Sequence, residues 1–182
     1  MPLELIQTGK YSRVDYDPEH DLFIKTFFPK RVDRLRYGLR LRPYPGINFV
    51  LIAKHLDALG IATPTIIAAD KYRLVTANIH GKPLKQCIQA SRVLQTQYLD
   101  AVEAYYRHGI HCRGLHTDNF LVRDDRIVAI DLDAYKVPHR LIRFPQHEYL
   151  DCLSRSLINE EAFLFHALLK RLSLDANYLP LA

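Results

Sequence analysis

No apolar stretch in this chain approaches the roughly 20 residues that span a bilayer. Runs such as Phe49-Val50-Leu51-Ile52-Ala53 are far shorter. Met1-Pro2-Leu3-Glu4 lacks a basic segment leading into an apolar one, so no secretory leader is expected. Glycine and proline are sparse, at seven and ten of 182 residues, which excludes collagen-like and low-complexity chains. There is no internal repeat. Cysteine is scarcer still. Cys87, Cys112 and Cys152 are odd in number and too widely spaced for a metal knuckle, so they read as reduced thiols of a cytosolic protein. What remains is ordinary for a globular chain: 48% hydrophobic and 25% charged residues. The length fits one compact domain or one small two-lobed unit.

Positive charge is in mild excess, with 25 Lys and Arg against 20 Asp and Glu. Much of it is local. Lys30, Arg31, Arg34, Arg36, Arg40 and Arg42 face a single acid, Asp33, across thirteen residues. Such a stretch is either a solvated helix or loop face, or a contact for phosphates of a lipid head group, a phosphorylated sugar or nucleic acid.

The periodicities predict α+β organisation. Residues 1–28 read as short strands, with Phe23–Phe27 following a turn at 15–21. A helix is expected over 46–59, from Ile47, Val50, Leu51, Leu56 and Leu59. Two strands follow at 61–69 and 72–78. A second helix spans 91–107, with Ser91 as N-cap and Gly109 as stop. Phe120–Val122 and Ile127–Ile130 form a hairpin around Arg123-Asp124-Asp125-Arg126, and helices fit 146–157 and 160–172.

The chemistry concentrates after Gly109. A polar loop carries His116, Asp118 and Asn119; the hairpin follows; Asp131 and Asp133 end its second strand. A hairpin brings its ends together, so Asn119 and Asp131 should approach each other. An amide oxygen and a carboxylate are hard oxygen ligands suited to Mg²⁺.

These residues resemble the protein-kinase-like superfamily, whose catalytic loop ends in Asn and is followed by a strand pair and a metal-binding Asp triplet. Leu115-His116-Thr117-Asp118-Asn119 resembles the end of that loop, and Asp131-Leu132-Asp133 resembles the triplet. Gly109-Ile110-His111-Cys112-Arg113-Gly114-Leu115-His116 and Arg42-Pro43-Tyr44 are similar to stretches of the bacterial lipopolysaccharide-core (Kdo/heptose) kinases, above all small members labelled toluene-tolerance proteins. The resemblance covers residues 5–140.

It implies a two-lobed fold with a small N-lobe at 1–78 and a reduced, mostly helical C-lobe at 79–182. It implies ATP and Mg²⁺ as cofactors. Gly9 and Ser12 would lie in a shortened phosphate-covering turn, Lys25 would pair with nucleotide phosphates, and Asn119 and Asp131 would hold the metal. The implied activity is phosphotransfer to a sugar hydroxyl in lipopolysaccharide biosynthesis. The setting would be cytoplasmic and peripheral to the inner membrane, with the Arg31–Arg42 segment facing an anionic sugar or lipid.

Two positions depart from the pattern. Gly114, five residues before Asn119, stands where the general-base Asp is expected, and Cys112 replaces the loop His. His116, Asp118 and Asp133 are the candidates to substitute, His116 first, because histidine exchanges its proton near neutral pH. Secondly, the helix at 46–59 has no Glu to pair with Lys25; Asn48 sits near that place, so Lys25 is expected to lack a partner. Three readings follow: an active kinase, a pseudokinase that binds without turnover, and a basic nucleic-acid or membrane-surface binder. No RNA-type aromatic strand motif or helix-turn-helix supports nucleic-acid binding.

Overall fold

The computed structural model describes residues 2–112, 115–138 and 145–174. Its first part is a five-stranded antiparallel sheet in the order β1-β2-β3-β5-β4. The strands are β1 (Glu4–Thr8), β2 (Ser12–Asp17), β3 (Leu22–Phe27), β4 (Ile66–Ala69) and β5 (Arg73–Ala77). β3 lies at the centre, with Lys25 opposite Val14 on β2 and Leu74 on β5. The aromatic and β-branched residues of β3 suit a pleated, half-buried surface. β1 is exposed along its whole length, as an edge strand.

The expected strand at 61–69 begins only at Ile66. Pro64 cannot donate to a ladder, and Ala62 instead forms a parallel bridge with Val128 of the second sheet, its carbonyl accepting from Ala129 N–H at 2.9 Å. That bridge ties the two sheets together.

Two helices separate β3 from β4. α1 (Arg31–Gly38) buries no residue, whereas α2 (Pro45–Asp57) buries Phe49, Ile52, Ala53 and Leu56 at helical spacing. Proline at the first position of α2 suits a helix start. The next residue must be glycine, since a Cβ on Gly46 would stand 2.1 Å from the carbonyl oxygen of Asp70 in the β4–β5 turn.

The second part is mostly helical. α3 (Arg92–His108) opens with the Ser91 hydroxyl accepting from Leu94 N–H and closes on Gly109 in the left-handed region, both as expected. A short strand β6 (Lys82–Pro83) joins the hairpin β7 (Phe120–Arg123) and β8 (Arg126–Ala129). α4 (Gln146–Ser156) and α5 (Ala162–Arg171) follow. One continuous apolar core runs from Phe27 and Ile52 through Tyr98, Tyr105 and Phe120 to Leu153 and Leu168. The site is built on the rim of this core, where β3, α2 and the end of β8 meet.

Candidate active site

Lys25 points from the middle of the central strand toward the turn after β8. Its Nζ donates to Asp131 Oδ1 at 2.8 Å and to Asp133 Oδ1 at 2.7 Å. The expectation that Lys25 lacks a partner is therefore corrected: two carboxylates, not a helix glutamate, receive it. Asn48 lies on α2 near the place where that glutamate was sought, but it does something else. Its amide donates to the backbone carbonyls of Asp133 (3.1 Å) and Tyr135 (2.9 Å). It thus fixes the main chain of the acidic turn while Lys25 fixes the side chains.

The turn itself has a special geometry. Asp131 adopts φ 57°, a left-handed conformation that Asp tolerates better than most residues. The two acids differ in surroundings. The Asp131 side chain is 57% exposed, while Asp133 is 19% exposed. Burial holds the Asp133 carboxyl above the usual carboxylate range, with Lys25 opposing and the nearby Asp131 adding to the rise. Burial alone would lower the Lys25 ammonium, but the Asp133 and Asp131 charges outweigh it and hold Lys25 above the ordinary lysine value. The trio is a half-buried cation under two anions, open to solvent on the Asp131 side.

The hairpin delivers Asn119 to the same end. Ile130 N–H donates to the Asn119 carbonyl at 2.9 Å, directly beyond the Phe120–Ala129 pair. Asn119 closes a short helical turn over residues 117–119, its N–H donating to His116 C=O. Thr117 is fully buried and its hydroxyl donates to Glu161, itself buried just before α5. Leu115 C=O accepts from Tyr98 Oη of α3 at 2.5 Å. Two residues with no part in the sequence reading, Tyr98 and Glu161, therefore clamp the loop. Tyr98 carried a signal, being a polar-tipped aromatic on the apolar face of α3; the Glu161 contact joins residues 44 apart and had none.

The other expected site residues fall around this centre. His116 Nδ1 stands 3.5 Å from Asp118 Oδ2, an ion-pair distance rather than a made hydrogen bond, and Lys85 Nζ reaches the same Asp118 oxygen at 3.3 Å. Gly9 and Ser12 bracket the β1–β2 turn, with Gly9 N–H donating to Ser12 C=O at 2.8 Å. Ser12 and Asp133 line one hollow of about 280 Å³, with Tyr11, Phe27, Lys30 and Tyr37. A larger hollow of about 710 Å³ lies along α4 beside the His111–Lys136 bridge. It holds no residue of the acidic turn, whereas the smaller one is lined by Asp133 and so adjoins the site. Gly114, the departure from the catalytic-loop pattern, lies outside the described residues. The hairpin thus brings an amide residue, Asn119, and a carboxylate, Asp131, to one end, and both are oxygen-donor types of the kind that suit a divalent cation.

No family model matches the chain, and no curated protein matches it. Solved structures do. The ternary complex of the aminoglycoside phosphotransferase APH(2'')-IIa with streptomycin and ATP superposes with a TM-score of 0.60 at 12% identity, over 97% of this chain and 80% of that one. The complex of Rio2 kinase with ADP, Mg²⁺ and phosphoaspartate from Chaetomium thermophilum gives a TM-score of 0.55 at 16% identity, over 95% of this chain and 57% of that one. At these identities the likeness is one of architecture: the chain has the protein-kinase-like fold.

Proposed function

We propose that the protein is an ATP-dependent phosphotransferase acting on a sugar hydroxyl, with lipopolysaccharide core as the acceptor class. The observation that carries this reading is the convergence of Lys25, Asp131 and Asp133 from segments more than a hundred residues apart. A half-buried lysine under two acids has no packing role that an apolar residue would not fill at less desolvation cost. Residues 1–78 would cover the nucleotide, and residues 79–182 would carry the catalytic-like loop.

In this reading Lys25 holds the nucleotide phosphates, Ser12 and the Gly9 turn lie over them, and Asn119 with Asp131 holds magnesium. When bound there, the metal supplies charge neutralisation of the phosphates. The acceptor oxygen bonds to the terminal phosphorus, the bond to the ADP oxygen breaks, and the hydroxyl proton passes to His116, with Asp118 and Asp133 as the other acids within the site. The Arg31–Arg42 segment attracts an anionic acceptor, and a cytoplasmic setting at the inner membrane follows from that acceptor.

A second reading, nucleotide binding without turnover, is favoured by Gly114, which cannot orient a hydroxyl. Thermal melting with Mg·ATP tests what both readings share. A ligand at about a hundredfold its Kd stabilises by about 2.7 kcal/mol, raising Tm by roughly 5–10 °C for a chain of this size. Asp131→Ala and Lys25→Met should abolish the rise. No rise in the unaltered protein at millimolar nucleotide overturns both readings. ATP turnover with a lipopolysaccharide-core acceptor, lost in His116→Ala, supports the enzyme; a Tm rise without turnover supports the binding module.

A further inference from the structure

α1 is built inside out. The residues that face the body of the protein are polar: Asp33 and Tyr37, both half-buried, line the small hollow. The Tyr37 ring stands 5.4 Å from Tyr44 and 6.5 Å from Tyr72, which fixes the rotation of the helix. The opposite side carries Val32, Leu35 and, just past the helix end, Leu39. These occupy positions i, i+3 and i+7 and are 59%, 63% and 61% exposed. Phe28 before the helix and Leu41 after it are exposed too.

The same segment is rich in exposed cations. Arg31, Arg34, Arg36, Arg40 and Arg42 are all exposed, while Lys30 turns to the Tyr11 ring at 5.0 Å. Among the described residues only Arg36 has a side-chain acid partner on this helix, Asp33 at 3.2 Å, and Arg31, Arg34, Arg40 and Arg42 show no ion pair. The two features together select the occupant. A nucleic acid would use the cations and leave the leucines in water. A second copy of the strip would set like charges against each other. A bilayer with anionic lipids offers both an apolar layer at the right depth and phosphates around it, which is the environment a basic amphipathic helix takes.

We propose that α1 docks the protein on an anionic phospholipid surface, with Val32, Leu35 and Leu39 entering the head-group layer and the arginines of the same segment contacting lipid phosphates. The hollow lined by Ser12 and Asp133 shares Asp33 and Tyr37 with the other face of the helix, so docking sets α1 between the membrane and that hollow. The inference rests on α1 alone and stands whether or not the site turns over ATP.

The test is cosedimentation with vesicles of phosphatidylcholine containing about one quarter phosphatidylglycerol, against vesicles of phosphatidylcholine alone. Binding to the anionic vesicles only is expected. Arg34→Glu with Arg40→Glu should weaken it by more than the roughly fivefold per cation that neutralisation alone gives. Leu35→Asp with Leu39→Asp should weaken it more than tenfold with every arginine in place. The leucine variant touches exposed positions outside the proposed site, so its Tm and its Mg·ATP response should equal those of the unaltered protein, which separates this test from that of phosphotransfer. Three results overturn the proposal: no binding of the unaltered protein to anionic vesicles; binding indifferent to the leucine pair; or a dimer in light scattering that the leucine pair dissolves.

Discussion

Lys25 answers to two anions of unequal exposure, and in the proposed reading the difference decides which contact a nucleotide would displace. Asp131 is open to solvent and is the acid a cation can reach; Asp133 is shielded, and its carboxylate has little but Lys25 to offset its burial. Asn48 keeps this turn in place through two backbone carbonyls rather than through charge. Asn48→Ala leaves both carbonyls without those donors, at a cost of about 1–3 kcal/mol. Melting should therefore show a lower Tm and a smaller Mg·ATP rise, whereas Asn48→Asp, which sets a carboxylate against two carbonyls, should lower Tm further. An Asn48→Ala protein with an unchanged Tm and an unchanged Mg·ATP rise would remove Asn48 from the site. Residue type and order pointed to Lys25 and Asp131, which the fold brings into contact, and to Asn119 at the same end of the hairpin. The pairing of Lys25 with Asp133 was not legible, because it depends on how a strand near the start and a turn 108 residues later are set against each other. In place of a helix glutamate, the acidic turn itself supplies the partners of the lysine.

At the scale of elements, α3 is the part that holds the loop. It is capped at both ends, and its buried face presents Tyr98 to the carbonyl of Leu115. Tyr98→Phe keeps the ring packing against Phe120 and removes only the hydroxyl, stranding that carbonyl. A loss of about 1–3 kcal/mol is expected, read as a lower denaturant midpoint with an unchanged slope. Because the same loop leads into Asn119, the magnesium dependence of nucleotide binding should weaken in this variant. Equal midpoints would show that the contact does not hold the loop. The boundaries of α3 and the β7–β8 hairpin were readable, since caps and turns are local chemistry. α1 was not. Its charges were plain, but which side of a short helix faces inward is set by the Tyr37, Tyr44 and Tyr72 cluster, three rings brought together by the fold.

For the molecule as a whole, the continuous core has an unusual share of polar-tipped rings. Tyr98, Tyr105, Tyr135 and Tyr149 are all buried within it. Tyr98 and Tyr149 spend their hydroxyls on the carbonyls of Leu115 and Val102, and Tyr105 meets Tyr135 edge to face at 5.6 Å. Burial, the leading cause in each, pushes all four phenols above the ordinary tyrosine value. The unfolded chain ionises these groups near pH 10 while the folded chain keeps their protons, so above that pH the unfolded state binds fewer protons and stability falls as pH rises. Lys25 acts in the same direction. Its folded value is raised, so its contribution is complete below the unfolded lysine value of about 10.4 and is lost as pH climbs through the folded one. Each group adds a slope of about 1.4 kcal/mol per pH unit, and four tyrosines acting together should make alkaline unfolding abrupt. Following tyrosinate absorbance beside far-ultraviolet circular dichroism, exposed Tyr11, held below the ordinary tyrosine value by its contact with Lys30, should ionise first with the helical signal intact. The buried four should then ionise in the same step that unfolds the chain, and Tyr105→Phe should make the pH dependence of stability shallower by one group. Ionisation of all tyrosines before any loss of helix would mean that the core admits solvent, and that the continuous packing joining β3, α2 and α3 beneath the site does not hold as one unit.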